Sequence, residues 1–146
     1  GKESASCDRA VMDDSLVKDD GGKGCGKNRT WPVGSKPRGV SPYGAHDMAG
    51  NVSEWTADWY QAAYLTGNPV VDPTGPASGS SRVKRGGSWN FYGPNLRSAR
   101  RNLNFPSARG SNIGFRVSFQ YTNYPPTDPF LSTLPRLTRH HLHYQY

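Results

Sequence analysis

Cysteine is scarce: Cys7 and Cys25 are the only two in 146 residues. One pair at that interval is no zinc signature, and it cannot staple a disulfide-dense scaffold. Two states stay open for it, a local disulfide or two free thiols. A bridge would close a short Gly- and Asp-rich loop and contribute ~3 kcal/mol by constraining the unfolded chain. Long apolar runs are missing too. None approaches the ~20 residues of a membrane span, and no basic-then-apolar leader opens the chain. The cellular address stays open, with an extracellular or cell-surface location favoured.

Acid is the third shortage. Ten of the eleven Asp and Glu residues lie in residues 1–72, and Pro73 to Thr127 holds none. Arg82, Lys84, Arg85, Arg97, Arg100, Arg101, Arg109 and Arg116 all fall in that stretch. A one-signed segment attracts anions or nucleic acid. The competing use is bracing, in which planar guanidinium forks bond loop carbonyls. Bracing is the expectation for Arg97, Arg100 and Arg116, less so for Arg101 and Arg109. Without an RNA-binding signature or a helix-turn-helix pattern, nucleic acid is not the expected partner.

What is plentiful is glycine and proline, 17 and 12 residues, against 34% hydrophobic positions. That balance predicts a loop-rich domain with short strands. Residues 1–31 read as a polar, loop-rich segment in which Asp13-Asp14 and Asp19-Asp20 are solvated charge. Residues 32–120 read as the folded core. Residues 121–146, with Pro125, Pro126, Pro129 and Pro135, read as an extended tail and a candidate arm onto a second copy.

Val52 to Tyr60 alternates, with Trp55, Ala57 and Trp59 on one side, and predicts a strand buried on its aromatic face. Arg82–Arg85 predicts a short strand ending at Gly86-Gly87, where the backbone needs positive φ or close approach. Leu96–Arg100 is another strand candidate. In the strand predicted for Gly114–Phe119, Phe115, Val117 and Phe119 share a face.

Three blocks, Asp47-Met48-Ala49-Gly50-Asn51-Val52-Ser53-Glu54-Trp55, Arg82-Val83-Lys84-Arg85-Gly86-Gly87-Ser88-Trp89 and Asn112-Ile113-Gly114-Phe115-Arg116, resemble the formylglycine-generating-enzyme (sulfatase-modifying factor) family. The resemblance runs from about Pro32 to Val117, the C-terminal half of a usual family domain. It implies an α+β, C-type-lectin-like fold with short antiparallel strands and little helix. It also implies what is absent. Family oxidases hold copper with two cysteines just after the Gly-Gly-Ser block, where this chain has Asn90-Phe91-Tyr92-Gly93-Pro94-Asn95-Leu96. No thiolate site can be built from those side chains, so no copper and no enzyme activity are expected. The histidine triad of the family's iron-dependent branch has no counterpart either; His46 is isolated.

The same resemblance implies a structural calcium ion held by Asp47, the carbonyls of Gly50 and Val52, and Glu54. An all-oxygen set suits that hard cation; a purely hydrogen-bonded turn is the alternative. Residues 90–113 further resemble the variable proteins of diversity-generating retroelements. Framework-like residues there alternate with Asn and with Phe, Tyr, Gly, Leu and Ser, all reachable from an Asn codon by changing its adenines. In those proteins such side chains form an exposed binding surface. The implied function is a noncatalytic protein that binds a protein or glycan ligand. Its expected contacts are Phe91, Tyr92, Asn95, Asn102, Leu103, Asn104, Phe105, Ser107, Gly110 and Ser111. A structural or assembly-forming family member without oxidase activity is the alternative.

Overall fold

A computed structural model describes residues 4–16, 21–63 and 75–118, together with the backbone of 143–144. Five strands form one sheet: β1 (Ser53–Trp59), β2 (Arg82–Arg85), β3 (Asn102–Asn104), β4 (Ile113–Arg116) and β5 (His143–Tyr144), in the order β3-β2-β1-β4-β5. Helix is confined to two single turns of 3-10 type among the described residues, Pro37–Gly39 and Gly93–Leu96. The sheet is mixed, because β1 runs parallel to β4 and antiparallel to β2. Parallel neighbours need a long crossover, and the chain from β1 to β4 supplies it through β2, β3 and their loops.

The β1 and β2 strands form where the alternation placed them, but the burial differs from the expectation. Ser53 is the buried residue of β1, Ala57 is exposed, and Trp55 and Trp59 are half-buried. The reason lies across the ladder: Lys84 pairs with Trp55 and Arg82 with Trp59. Their cationic groups sit 5.7 and 3.6 Å from the ring centroids. Long cationic stems therefore cover the indoles in place of apolar side chains.

Two strand expectations need correction. Leu96–Arg100 is not a strand. Pro94 favours the tight turn Gly93–Leu96, Leu96 is drawn into the core, and Arg100 N–H closes a further turn on the Arg97 carbonyl. The strand lies later, at Asn102–Asn104. The strand expected over Gly114–Phe119 is β4, which ends at Arg116, and Phe115 and Val117 are exposed. Phe119 and Asp19-Asp20 fall outside the described residues. So does the tail, apart from the pairing of Tyr144 with Phe115 and His143 with Arg116.

The N-terminal segment departs furthest from its reading as solvated loop. Ala10, Val11 and Met12 are among the most buried residues, and Ala10, Met12 and Leu96 form the core cluster. Val11 bridges to Gly50 and Asp13 to Tyr92, both in parallel sense. A Cβ at Gly50 would collide with the Val11 backbone, so this close approach requires glycine. Asp13 and Asp14 are buried rather than solvated. Asp13 Oδ1 accepts from the Ser15 hydroxyl and N–H (2.7 and 3.1 Å), and Asp14 Oδ1 accepts from Gly22 N–H (2.7 Å). Hydrogen bonding offsets the desolvation of these carboxylates. Cys7 and Cys25 are joined in a disulfide, their Cα atoms 5.7 Å apart, and both pack on the core cluster.

Candidate ligand-binding surface

The segment after Trp89 begins from a rigid base. Gly86 and Gly87 have φ of 85° and 71°, left-handed values that glycine adopts without strain. Ser88 is fully buried, and its hydroxyl donates to Asn90 Oδ1 (2.8 Å). Asn112 Nδ2 donates to the same oxygen (3.1 Å), and Trp89 Nε1–H donates to the Ser111 carbonyl (3.2 Å). The two ends of the stretch are thus tied to each other. The N-terminal segment supports it from beneath: Asp13 N–H donates to the Phe91 carbonyl (2.9 Å) and Gly24 N–H to that of Trp89 (2.6 Å).

On this base the ten expected contact residues divide. Tyr92, Leu103 and Phe105 are 38%, 47% and 63% exposed, large fractions for such side chains. Ser107, Gly110 and Ser111 are exposed, while Asn95, Asn102 and Asn104 are half-buried. Phe91 faces inward and packs on the Ala10–Met12–Leu96 cluster. Strand alternation divides the set again. Asn102 pairs with Lys84 and Asn104 with Arg82, on the face that carries Trp55, whereas Leu103 pairs with Val83 on the opposite face. The ten therefore do not converge on one plane.

A cleft of about 620 Å³ lies beside them, between the Pro106–Ser111 loop and Trp55, Ile113, Gly114 and Phe115. Sequence reasoning missed its two aromatic walls. The signal was present in the predicted strands, since Trp55 and Phe115 are register partners across β1 and β4.

The arginines sort by what they touch. Arg116 is a brace: its guanidinium bonds the Glu54 carboxylate (2.7–3.2 Å) and the carbonyls of His46 (2.8 Å) and Asp47 (3.4 Å). Arg101 braces as well, donating to the Gln61 and Ala62 carbonyls (3.1 and 3.5 Å) and lying over Tyr60. Among the described residues, Arg97 reaches only the Pro94 carbonyl (3.1 Å). Arg100, expected to brace, is exposed and its side chain forms no hydrogen bond among the described residues. Lys84 is 7% exposed, and burial pushes its ammonium below the ordinary lysine range.

Of the four residues expected to hold calcium, Asp47, Gly50 and Val52 lie on the tight loop entering β1 and Glu54 lies in the strand itself. Asp47, Gly50 and Asn51 all have positive φ, which curls the loop. Asp47 Oδ2 accepts from Gly34 N–H (2.7 Å). Glu54 accepts from Arg116 with both oxygens, yet a carboxylate offers about four lone-pair sites and retains acceptor capacity. The donors expected here are all oxygens, the type a hard cation takes, and Arg116 already neutralises Glu54.

The comparisons with known proteins agree with this geometry. The chain is 42% identical over 93 residues to the formylglycine-generating enzyme of Streptomyces coelicolor, covering 61% of this chain and 29% of that protein. It is 46% identical over 91 residues to the serine/threonine-protein kinase pkn1 of Chlamydia caviae, covering 61% of this chain and 14% of that one. The chain thus spans less than a third of either relative's length. Among solved structures it is similar to Treponema denticola variable protein 1, with a TM-score of 0.58 and 35% identity, covering 74% of this chain and 34% of that one. The family pattern described as "Sulfatase-modifying factor enzyme 1-like domain" matches residues 13–120. On that match and this geometry, the chain belongs to the sulfatase-modifying factor enzyme 1-like family and has its C-type-lectin-like fold.

Proposed function

We propose that this domain is a noncatalytic binder that presents side chains from residues 90–112 to a protein or glycan ligand. One observation carries the reading: Tyr92, Leu103 and Phe105 stand in solvent on a segment whose backbone is tied down at both ends. Rigid aromatic area set among Asn, Ser and Gly suits recognition, since little entropy is lost when such side chains are buried by a partner. The likeness to a variable protein supports it. So does the state of the thiols. Both cysteines are spent in a bridge outside residues 90–97, which leaves no soft ligand there for copper. The bridge also favours an oxidising, extracellular or cell-surface setting. The Asp47, Gly50, Val52 and Glu54 oxygens hold calcium as a structural ion, stiffening the loop that enters β1.

Binding to an array of glycans and bacterial surface proteins tests the reading, with wild type compared against Tyr92→Ala, Phe105→Ala and Phe91→Ala. The first two are expected to weaken binding about tenfold or more while leaving stability within about 0.5 kcal/mol. Phe91→Ala is expected to cost roughly 2 kcal/mol of stability through the core. Binding indifferent to Tyr92 and Phe105, or formylglycine formation on a sulfatase peptide, would overturn the proposal.

One observation favours the second reading, a structural, assembly-forming member of the family. His143–Tyr144 adds a strand at the β4 edge, and the same addition made onto a second copy would join two chains. An oligomer that dissociates when residues 121–146 are removed would select it.

A further inference from the structure

Away from the 90–112 surface, the structure carries a second concentration of charge that no part of the binding proposal uses. Trp31 is held rigidly at its centre. Its indole Nε1–H donates to the Gly24 carbonyl (2.9 Å) and its backbone N–H to Asn51 Oδ1 (3.0 Å), and Asn51 Nδ2 donates back to the Trp31 carbonyl (3.1 Å). Asn51 is 1% exposed. This clamp fixes the ring from the buried side, so the platform is preorganised.

Two lysines nine residues apart meet on that ring. Lys27 Nζ lies 4.0 Å from the centroid and Lys36 Nζ 3.8 Å from it. A cavity of about 410 Å³ opens beside Lys27, lined by Lys27, Arg29, Thr30, Trp31 and Pro32, with no carboxylate in its wall; Lys36 is not part of that wall. Arg29 forms no hydrogen bond or ion pair among the described residues. Asp8 lies 3.6 Å from Arg38 and pairs with it. Lys36 is held below the usual lysine range by burial and by repulsion from Lys27, an effect Asp8 and Asp14 partly offset. Cations beside a cavity with no carboxylate in its wall gain from an added anion.

We infer that Lys27 and Arg29, in the wall of the cavity beside Trp31, form a binding site for a tetrahedral oxyanion of the sulfate or phosphate class, with Lys36 on the same ring adding positive charge nearby. Such an ion presents several oxygens at once, so it can accept from separate ammonium and guanidinium donors where a single carboxylate reaches fewer. The Thr30 hydroxyl is a further donor on the same wall. The site is independent of the 90–112 surface, and neither requires the other.

Titration of the full chain with inorganic sulfate, inorganic phosphate, a sulfated disaccharide and its unsulfated parent tests the site by calorimetry. Wild type is compared with the Lys27→Gln/Arg29→Gln pair and with Arg82→Gln, a cation outside both this cavity and residues 90–112. The expected result is saturable binding of the charged probes, weakened about tenfold or more in the double variant and unchanged in Arg82→Gln. A sulfated disaccharide that binds more tightly than inorganic sulfate assigns the site to an esterified ligand; the reverse ranking assigns it to the free ion. Both rankings support the site. No saturable binding of the charged probes, or equal binding of them by the double variant, would overturn it. Lys27 and Arg29 are exposed, so unchanged thermal unfolding will show that any loss is not a folding defect.

Discussion

Arg116 and Glu54 are 62 residues apart in sequence and form a two-oxygen ion pair, Nη2 to Oε1 at 2.7 Å and Nε to Oε2 at 3.0 Å, with side-chain exposures of only 13% and 18%. The pair joins β4 to β1, and the same guanidinium reaches the carbonyls that precede the Asp47 loop. Removing one partner strands a desolvated charge. Arg116→Ala and Glu54→Gln are each expected to lose about 3 kcal/mol in denaturant unfolding. A double change of Glu54→Gln with Arg116→Met should recover part of that loss. Single variants within 0.5 kcal/mol of wild type, a threshold of roughly the size of surface effects, would show the pair to be solvated.

The Cys7–Cys25 bridge closes a separation of 18 residues. Paired Cys7→Ser and Cys25→Ser substitutions are expected to cost roughly 3 kcal/mol, from loop closure in the unfolded chain. Both sulfurs also pack on the core cluster, so the paired Ala variant should retain more stability than the Ser variant. Thermal unfolding with and without a reductant measures the same quantity on the unmodified chain. No shift on reduction would exclude a stabilising role for the bridge.

Calcium is expected to raise the midpoint of thermal unfolding, and a chelator to lower it. The gain should follow RT ln(1 + [L]/Kd), about 2.7 kcal/mol at a hundredfold excess over Kd. Asp47→Ala should remove the response. Magnesium is the control, because its octahedral demand suits a carbonyl loop poorly. A wild-type midpoint indifferent to calcium would leave the loop as a hydrogen-bonded turn alone.

Lys84 gives a pH dependence with a defined sign. Burial lowers its folded value below the unfolded value of 10.5, so between the two the unfolded chain binds more protons. The Lys84 contribution to stability therefore rises as pH increases through the folded value and levels off above the unfolded one. Lys84→Met is expected to stabilise the domain at neutral pH and to abolish that alkaline rise. Comparing urea midpoints of the two proteins at several pH values isolates it. An identical pH dependence in both would show that the ammonium is solvated.

Much of the fold was legible because it was local. The alternation around Trp55 located β1, and Gly86-Gly87 announced a backbone that needs left-handed φ. What was not legible was supplied from elsewhere in the chain. Ala10-Val11-Met12 is too short for any periodicity to show, and it is buried because Gly50 pairs with Val11 and Tyr92 with the adjoining Asp13. The Asn-Leu-Asn strand has little intrinsic β preference; pairing with β2 makes it one. The acidic pair at Asp13-Asp14 looked solvated because the partners that satisfy it, Ser15 and Gly22, are ordinary loop residues. In the candidate surface, composition identified the segment but not its inward member. Only packing separates Phe91 from Phe105.

The two short bridges of the N-terminal segment, Val11 to Gly50 and Asp13 to Tyr92, have a consequence for how this domain comes into being. The stretch around Val11 is made some 40 and 80 residues before the positions that pair with it. Its three apolar residues are therefore expected to gain these contacts late, as non-local contacts do. A nascent chain arrested at residue 60 should be protease-sensitive, and one arrested with residue 116 clear of the exit tunnel should be resistant. Burial of the Ala10–Met12 stretch is therefore gated by blocks that emerge long after it.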